Sequence, residues 1–134
     1  MTMRPTPRRL RGYRRMGMTM IRARLANVTD RRRQTDVEMT VDSGAIYSVV
    51  PSSFLRDIGV DPERTETFWL ADGRSVKRRV GHAFFAIQGS EGISKVIFGR
   101  PGDVSLLGVV TLEELGLSLD PLKRTLRPLK LMIA

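Results

Sequence analysis

The sequence contains no cysteine. Disulfides, thiolate nucleophiles and cysteine-based metal sites are therefore excluded. It contains one histidine, His82, and a lone imidazole does not make a zinc site of the usual kind. A Ser-His-Asp triad would have to use that residue, and no Gly-x-Ser-x-Gly nucleophile motif accompanies it. His82 is expected to be a surface or partly satisfied histidine. No apolar run approaches the length of a membrane span. The N-terminal stretch lacks the apolar core of a secretory signal, so a cytoplasmic location is expected and no membrane partner. No internal repeat is visible.

Acidic residues are scarce at one end only. The chain has 134 residues and a net charge of +9. Residues 1–33 hold eleven arginines and one acid, Asp30, a balance of +10. The remainder is at −1, so the high isoelectric point describes an arm and the first hairpin. Residues 1–15 read as a disordered basic arm, with Pro5, Pro7 and little to bury. A solvated tail is the plain reading. A nucleic-acid tether, a self-cleaved propeptide and a transit peptide are the others. Met16, Met18 and Met20 are alternative starts. Any nucleic-acid binding would run through this arm, because no stacking-aromatic motif accompanies its arginines.

From residue 16 to 134 the pattern is that of one β-rich domain with two short helices. Met18, Met20, Ile21, Ala23, Leu25 and Val28 suggest a first strand. Val37, Met39 and Val41 alternate with Asp36, Glu38 and Thr40, as a half-buried strand should. A short helix is expected from Pro51 to Gly59, with Phe54, Leu55 and Ile58 on one side. Asp72-Gly73 between two β-prone runs predicts a type I′ hairpin turn. Ala83 to Ile87 and Lys95 to Phe98 read as strands joined by the loop Gly89 to Gly92. Thr111 is expected to cap a second helix, with Glu114 as its capping-box partner. Leu117, Leu119, Leu126, Leu129, Leu131 and Ile133 suggest closing strands.

Peptide hydrolysis without a metal, thiol or serine triad leaves one well-known route, a water activated between two carboxylates. One carboxylate accepts the water proton while the other, protonated, polarises the scissile carbonyl. Two such groups in contact cannot both ionise easily, so they share a proton. Asp42-Ser43-Gly44, at the end of the alternating strand, suits that task. The serine hydroxyl can brace the turn, and the glycine lets backbone N–H groups approach the carboxylate. Asp, Ser and Gly are also ordinary turn residues. The added Ala45 makes the motif rarer, and its surroundings make it more specific.

Apolar Val49-Val50-Pro51 follows the motif, a glycine-turned hairpin comes about thirty residues later, and Leu106-Leu107-Gly108 leads into a short helix. This order resembles the retropepsin-like (retroviral-type) aspartic protease family over roughly Met20 to Leu129. Leu106-Leu107-Gly108, Leu112-Glu113, Gly116-Leu117 and Asp120-Pro121 look most like its small prokaryotic members. The resemblance implies a closed β-barrel of the acid-protease type with one lobe per chain, and a homodimer cleaving peptides without metal or cofactor. It implies that Asp42 is the catalytic aspartate, that Ser43 locks the two active-site turns together and that Gly44 completes the turn. Ala45 would line the cleft. Ala71, Asp72 and Gly73 would form a mobile flap over the substrate, with Trp69 on its first strand. Leu106 would lie near a substrate pocket.

Only one Asp-[Ser/Thr]-Gly occurs, so the second carboxylate would come from a second copy across a two-fold axis. Leu129, Leu131 and Ile133 would lie in a dimer sheet or close the monomer's own core. Viral members commonly carry an Asp after the Ala and an Arg after the helix-preceding Gly. Here those positions are Ile46 and Val109. For Trp69, core packing is the plain alternative to substrate contact. Arg78-Arg79 reads as a solvated face, and Glu113 and Glu114 as helix-start charges. A non-catalytic binding module on the same fold remains the second reading.

Overall fold

Alternation of apolar and polar residues over two adjacent segments produces the first hairpin. In the computed structural model, which describes residues 19–130 and Ile133, β1 is Thr19–Ala26 and β2 is Gln34–Val41. They pair antiparallel along their whole length, Thr19 opposite Val41 and Ala26 opposite Gln34. Ala23, Leu25, Val37 and Met39 point inward while Arg22, Arg24, Asp36 and Glu38 face solvent, the period-two pattern that fixes register. The basic arm of residues 1–15 and Leu131 lie outside the described residues.

β3 (Ser48–Pro51) runs into α1 (Ser52–Asp57), which ends at Gly59 in the left-handed region (φ +76°). β4 (Arg64–Trp69), β5 (Ser75–Ile87) and β6 (Ser90–Gly99) follow as an antiparallel meander. β7 is only Leu106–Leu107 and leads into α2 (Val109–Glu114). A separate hairpin of β8 (Leu117–Asp120) and β9 (Thr125–Pro128) follows. The main sheet has the order β1-β2-β7-β3-β6-β5-β4, and β1 also pairs with β5 through Arg24 to Ala26. Six strands therefore form a ring, and β4 hangs outside it on β5. Among the described residues the protein is mainly β with two short helices, as expected.

Leu25, Met39, Leu55, Phe85 and Leu107 lie at the centre of the core, all fully buried. Leu117 and Leu126 of the last hairpin join the same cluster. Leu129 lies past the end of β9, its N–H donating to Gly116 O at 2.7 Å. Ile133 is fully exposed. Among the described residues no helix is long and apolar enough to cross a membrane.

Several local expectations are corrected. The type I′ turn falls at Gln88-Gly89, where both residues have positive φ and join β5 to β6 directly. Ser90, Glu91 and Gly92, expected in a loop, are therefore strand. At Asp72-Gly73 only the glycine has positive φ. Leu70 O accepts from Gly73 N–H at 3.0 Å, and Leu70 N–H donates to Arg74 O at 2.7 Å. This is a three-residue loop with a glycine bulge. Asp72 keeps an ordinary backbone because its carboxylate binds the backbone N–H of Arg74 at 2.9 Å.

Gly108, not Thr111, caps α2, and Thr111 is fully buried inside it. Glu113 and Glu114 consequently sit at the end of that helix. Arg78 is not on a solvated face. It is half-buried, with Nε 3.1 Å from Asp103 Oδ2.

Candidate active site

The Asp42 turn begins where β2 leaves the ring. β7 runs parallel to β2, Val41 opposite Leu107. Thr40 N–H donates to Ser105 O at 2.9 Å and Asp42 N–H to Leu107 O at 3.3 Å. Past that point the chain reverses. Ala45 N–H donates to Asp42 O at 3.0 Å, and Gly44 N–H donates to Asp42 Oδ1 at 2.8 Å. Asp42 is half-buried while Ser43 and Gly44 are exposed, so the carboxylate stands at a surface.

The Leu106-Leu107-Gly108 segment packs behind this turn. Val109 N–H donates to Ala45 O and Val110 N–H to Ile46 O, both at 2.9 Å. A Cβ on Gly108 would lie 2.5 Å from Tyr47 C and 2.6 Å from Ile46 O. Backbone meets backbone here, and only glycine permits that approach. Leu106 is half-buried between β2 and β3, opposite Thr40 and Val49.

Asp42, Ser43, Gly44, Ala45 and Leu106 are thus brought together. Trp69, Ala71, Asp72 and Gly73 belong to a different feature, the projecting β4–β5 hairpin, and all four are exposed. Trp69 is 74% exposed, which overturns the core-packing reading. Its position explains this: Glu66 and Phe68 take the inward face of β4, leaving Thr67 and Trp69 outward. Arg74 grips Asp72 through its backbone N–H and its guanidinium. Those two bonds hold the Asp72 carboxyl below the usual carboxylate range.

Sequence reasoning missed the clasp between this hairpin and the Asp42 region. Tyr47, five residues after Asp42, meets Phe68 edge-on with ring centroids 5.8 Å apart. Lys95 Nζ lies 4.5 Å from the Tyr47 centroid and donates to Glu66 Oε1 at 2.8 Å. The Lys95 hydrogen bond, seconded by Arg64, keeps the Glu66 carboxyl below its ordinary range. No spacing rule connects residues 47, 66, 68 and 95. Ser48, Ser94 and Thr111 were also missed. A serine at an inward position of the apolar run Tyr47 to Val50 was the available signal.

His82 is exposed, as expected, with Nδ1 2.8 Å from Glu63 Oε2. The two flank a shallow cavity of about 500 Å³ lined also by Asn27, Val60 and Ile93. Among the described residues no cluster of three or more His, Asp or Glu could hold a metal ion.

No protein-family model matches this sequence, and no curated protein matches it. Solved structures do match. The protease of simian foamy virus (mac), determined in solution, superposes with a TM-score of 0.51 at 24% identity, over 71% of this chain and 92% of that one. The prototype foamy virus protease–reverse transcriptase gives 0.50 at 20% identity, over 87% of this chain. The match takes in only 13% of that longer protein. At these identities the likeness concerns the fold: the chain folds like a retroviral protease.

Proposed function

We propose that this protein is an aspartic endopeptidase of the retropepsin-like type, active as a homodimer in which each copy supplies one Asp42 carboxylate. The observation that carries the reading is the Asp42-Ser43-Gly44-Ala45 turn. Its carboxylate is anchored at a surface by Gly44 N–H, and the segment that follows the turn is backed by Gly108. It sits on a fold shared with foamy virus proteases.

In the mechanism, the ionised Asp42 of one copy takes a proton from water, and the water oxygen bonds to the scissile carbonyl carbon. The protonated Asp42 of the other copy gives its proton to the carbonyl oxygen, which leaves a neutral tetrahedral diol. Collapse of the tetrahedral diol breaks the C–N bond, and the amine leaves with a proton relayed by the carboxylates. Ser43 links the two turns, and Ala45 and Leu106 border the cleft. Trp69, Ala71, Asp72 and Gly73 close over an extended peptide. Ile46 is 62% exposed in the single chain and Val109 half-buried. Near the dimer interface an apolar contact between them stands where viral members have an ion pair. The Leu106 to Pro121 motifs support placing the chain with the small prokaryotic members.

The test compares wild type with Asp42→Asn on an unfolded protein substrate from pH 4 to 7. Wild type cleaves, and the variant loses activity by at least about a hundredfold. Equal cleavage by both would refute the mechanism. Sedimentation is expected to show a two-chain particle, and a strict monomer that cleaves would refute the shared site.

A further inference from the structure

Three buried hydroxyls from three distant segments meet behind the Asp42 turn. Ser48 of β3 and Thr111 of α2 are fully buried, and Ser94 of β6 is 4% exposed. Gly108 N–H donates to Ser48 Oγ at 3.0 Å. Ser48 Oγ and Thr111 Oγ1 are 2.6 Å apart, and Thr111 Oγ1 and Ser94 Oγ 2.9 Å. Ser94 Oγ donates to Lys95 O at 3.2 Å.

Proton counting fixes the direction of every bond, because each hydroxyl has one proton to give. The Ser94 proton is committed to Lys95 O. Thr111 therefore donates to Ser94, and Ser48 donates to Thr111. The result is one directed chain from Gly108 N–H through Ser48, Thr111 and Ser94 to Lys95 O. Each of the three hydroxyls both gives and receives, which is the fully satisfied arrangement that makes a buried network rigidifying.

Both ends of this chain matter. One end is β6, paired on both edges within the ring by β3 and β5. The other is Gly108, whose backbone is pressed against Ile46 and Tyr47. The adjoining Val109 and Val110 hold Ala45 O and Ile46 O. The hydroxyls thus tie the second half of the Asp42 turn to a strand paired on both edges.

We infer that Thr111 is a positioning residue for the Asp42 carboxylate, acting through Ser48 and Gly108 rather than by contact with substrate. This rests on the catalytic reading above for its consequence, but its structural content can be tested without it. Thr111→Val keeps the shape and β-branching while removing both the donor and the acceptor. Thr111→Ser keeps both.

Amide exchange is measured at Gly108, Val109 and Val110, with β1 as internal reference, alongside peptide cleavage. Thr111→Val is expected to lower protection at these three amides about tenfold while β1 is unchanged. It is expected to lower kcat about tenfold with little change in KM. Thr111→Ser is expected to restore both. Should Thr111→Val fail to fold, Ser94→Ala removes the far link of the same chain and is read in the same way. Unchanged protection at the three amides, or a loss shared equally with β1, would overturn the inference whatever the activity. Changed protection with unchanged kcat would overturn the catalytic consequence. Absence of Asp42-dependent cleavage in wild type would sink the protease reading alone, leaving the exchange result to decide the tie.

Discussion

Replacing Gly108 by alanine adds one methyl group where the structure has no room for it. Gly108 has φ −94° and ψ 170°, a conformation that alanine adopts freely. Backbone strain is therefore not part of the effect. The new Cβ would meet Tyr47 C at 2.5 Å, Ile46 O at 2.6 Å and Tyr47 O at 2.7 Å. All three are backbone atoms and cannot swing aside as a side-chain tip would. Overpacking of a tight interior costs about 1–3 kcal/mol. Separating the two segments also weakens the bonds from Val109 to Ala45 O and from Val110 to Ile46 O, at about 1 kcal/mol each. Loss of glycine freedom in the unfolded chain returns about 0.4–1 kcal/mol. The net expectation is a destabilisation of roughly 2–4 kcal/mol, or a fall in Tm on the order of 10 °C for a domain of this size. Urea and thermal unfolding of Gly108→Ala against wild type measure it. A variant whose Tm lies within about 2 °C of wild type would refute the close-approach argument, since the steric and hydrogen-bond costs would then be absent.

Other perturbations separate stability from function. Trp69→Ala is expected to leave stability within about 0.5 kcal/mol, because the ring is exposed, while raising KM for an extended peptide; an unchanged KM would remove Trp69 from the cleft. Phe85→Ala is expected to cost about 3–5 kcal/mol, since Phe85 lies fully buried at the centre of the ring, and a loss under about 1 kcal/mol in urea unfolding would contradict that placement. Glu66 has its carboxyl held low by Lys95, so its stabilisation is present above the unfolded carboxylate range and fades as pH falls through the lower folded value. The urea midpoints of wild type and Glu66→Gln should therefore differ at pH 7 and converge below about pH 4; a gap that stays constant down to pH 3 would show that the clasp is not ionic.

The alternation of Val37, Met39 and Val41 and the motif that follows were enough to place Asp42 at the end of a strand. That legibility has a physical basis. A half-buried strand writes its inward face into every second residue, and a tight turn restricts its residues to Asp, Ser and Gly. The hairpins were also legible as hairpins. Their turn types were not, because Asp72 satisfies Arg74 N–H with its own carboxylate and so needs no left-handed backbone, whereas Gln88 adopts one at the β5–β6 turn.

Thr111 illustrates what a local rule misses. Its spacing from Glu114 fits a capping box, yet Gly108 opens the helix and the threonine hydroxyl turns inward to Ser48 and Ser94. Trp69 misled in the opposite sense: aromatics usually fill cores, but this one is on the outward face of a strand beyond the ring.

By itself the sequence determined composition-level exclusions, the strand periodicity, the glycine stops and a single Asp-Ser-Gly-Ala turn, all of which depend on neighbours within a few residues. The tertiary structure alone decided which distant segments share that turn. Parallel pairing of β2 with β7 and of β3 with β6 brings Gly108, Ser48, Thr111 and Ser94 behind Asp42, and the outlying β4 brings Glu66 and Phe68 to Lys95 and Tyr47. These contacts join residues up to 63 positions apart. They follow from closing a ring of strands, for which no local pattern in the chain is a record.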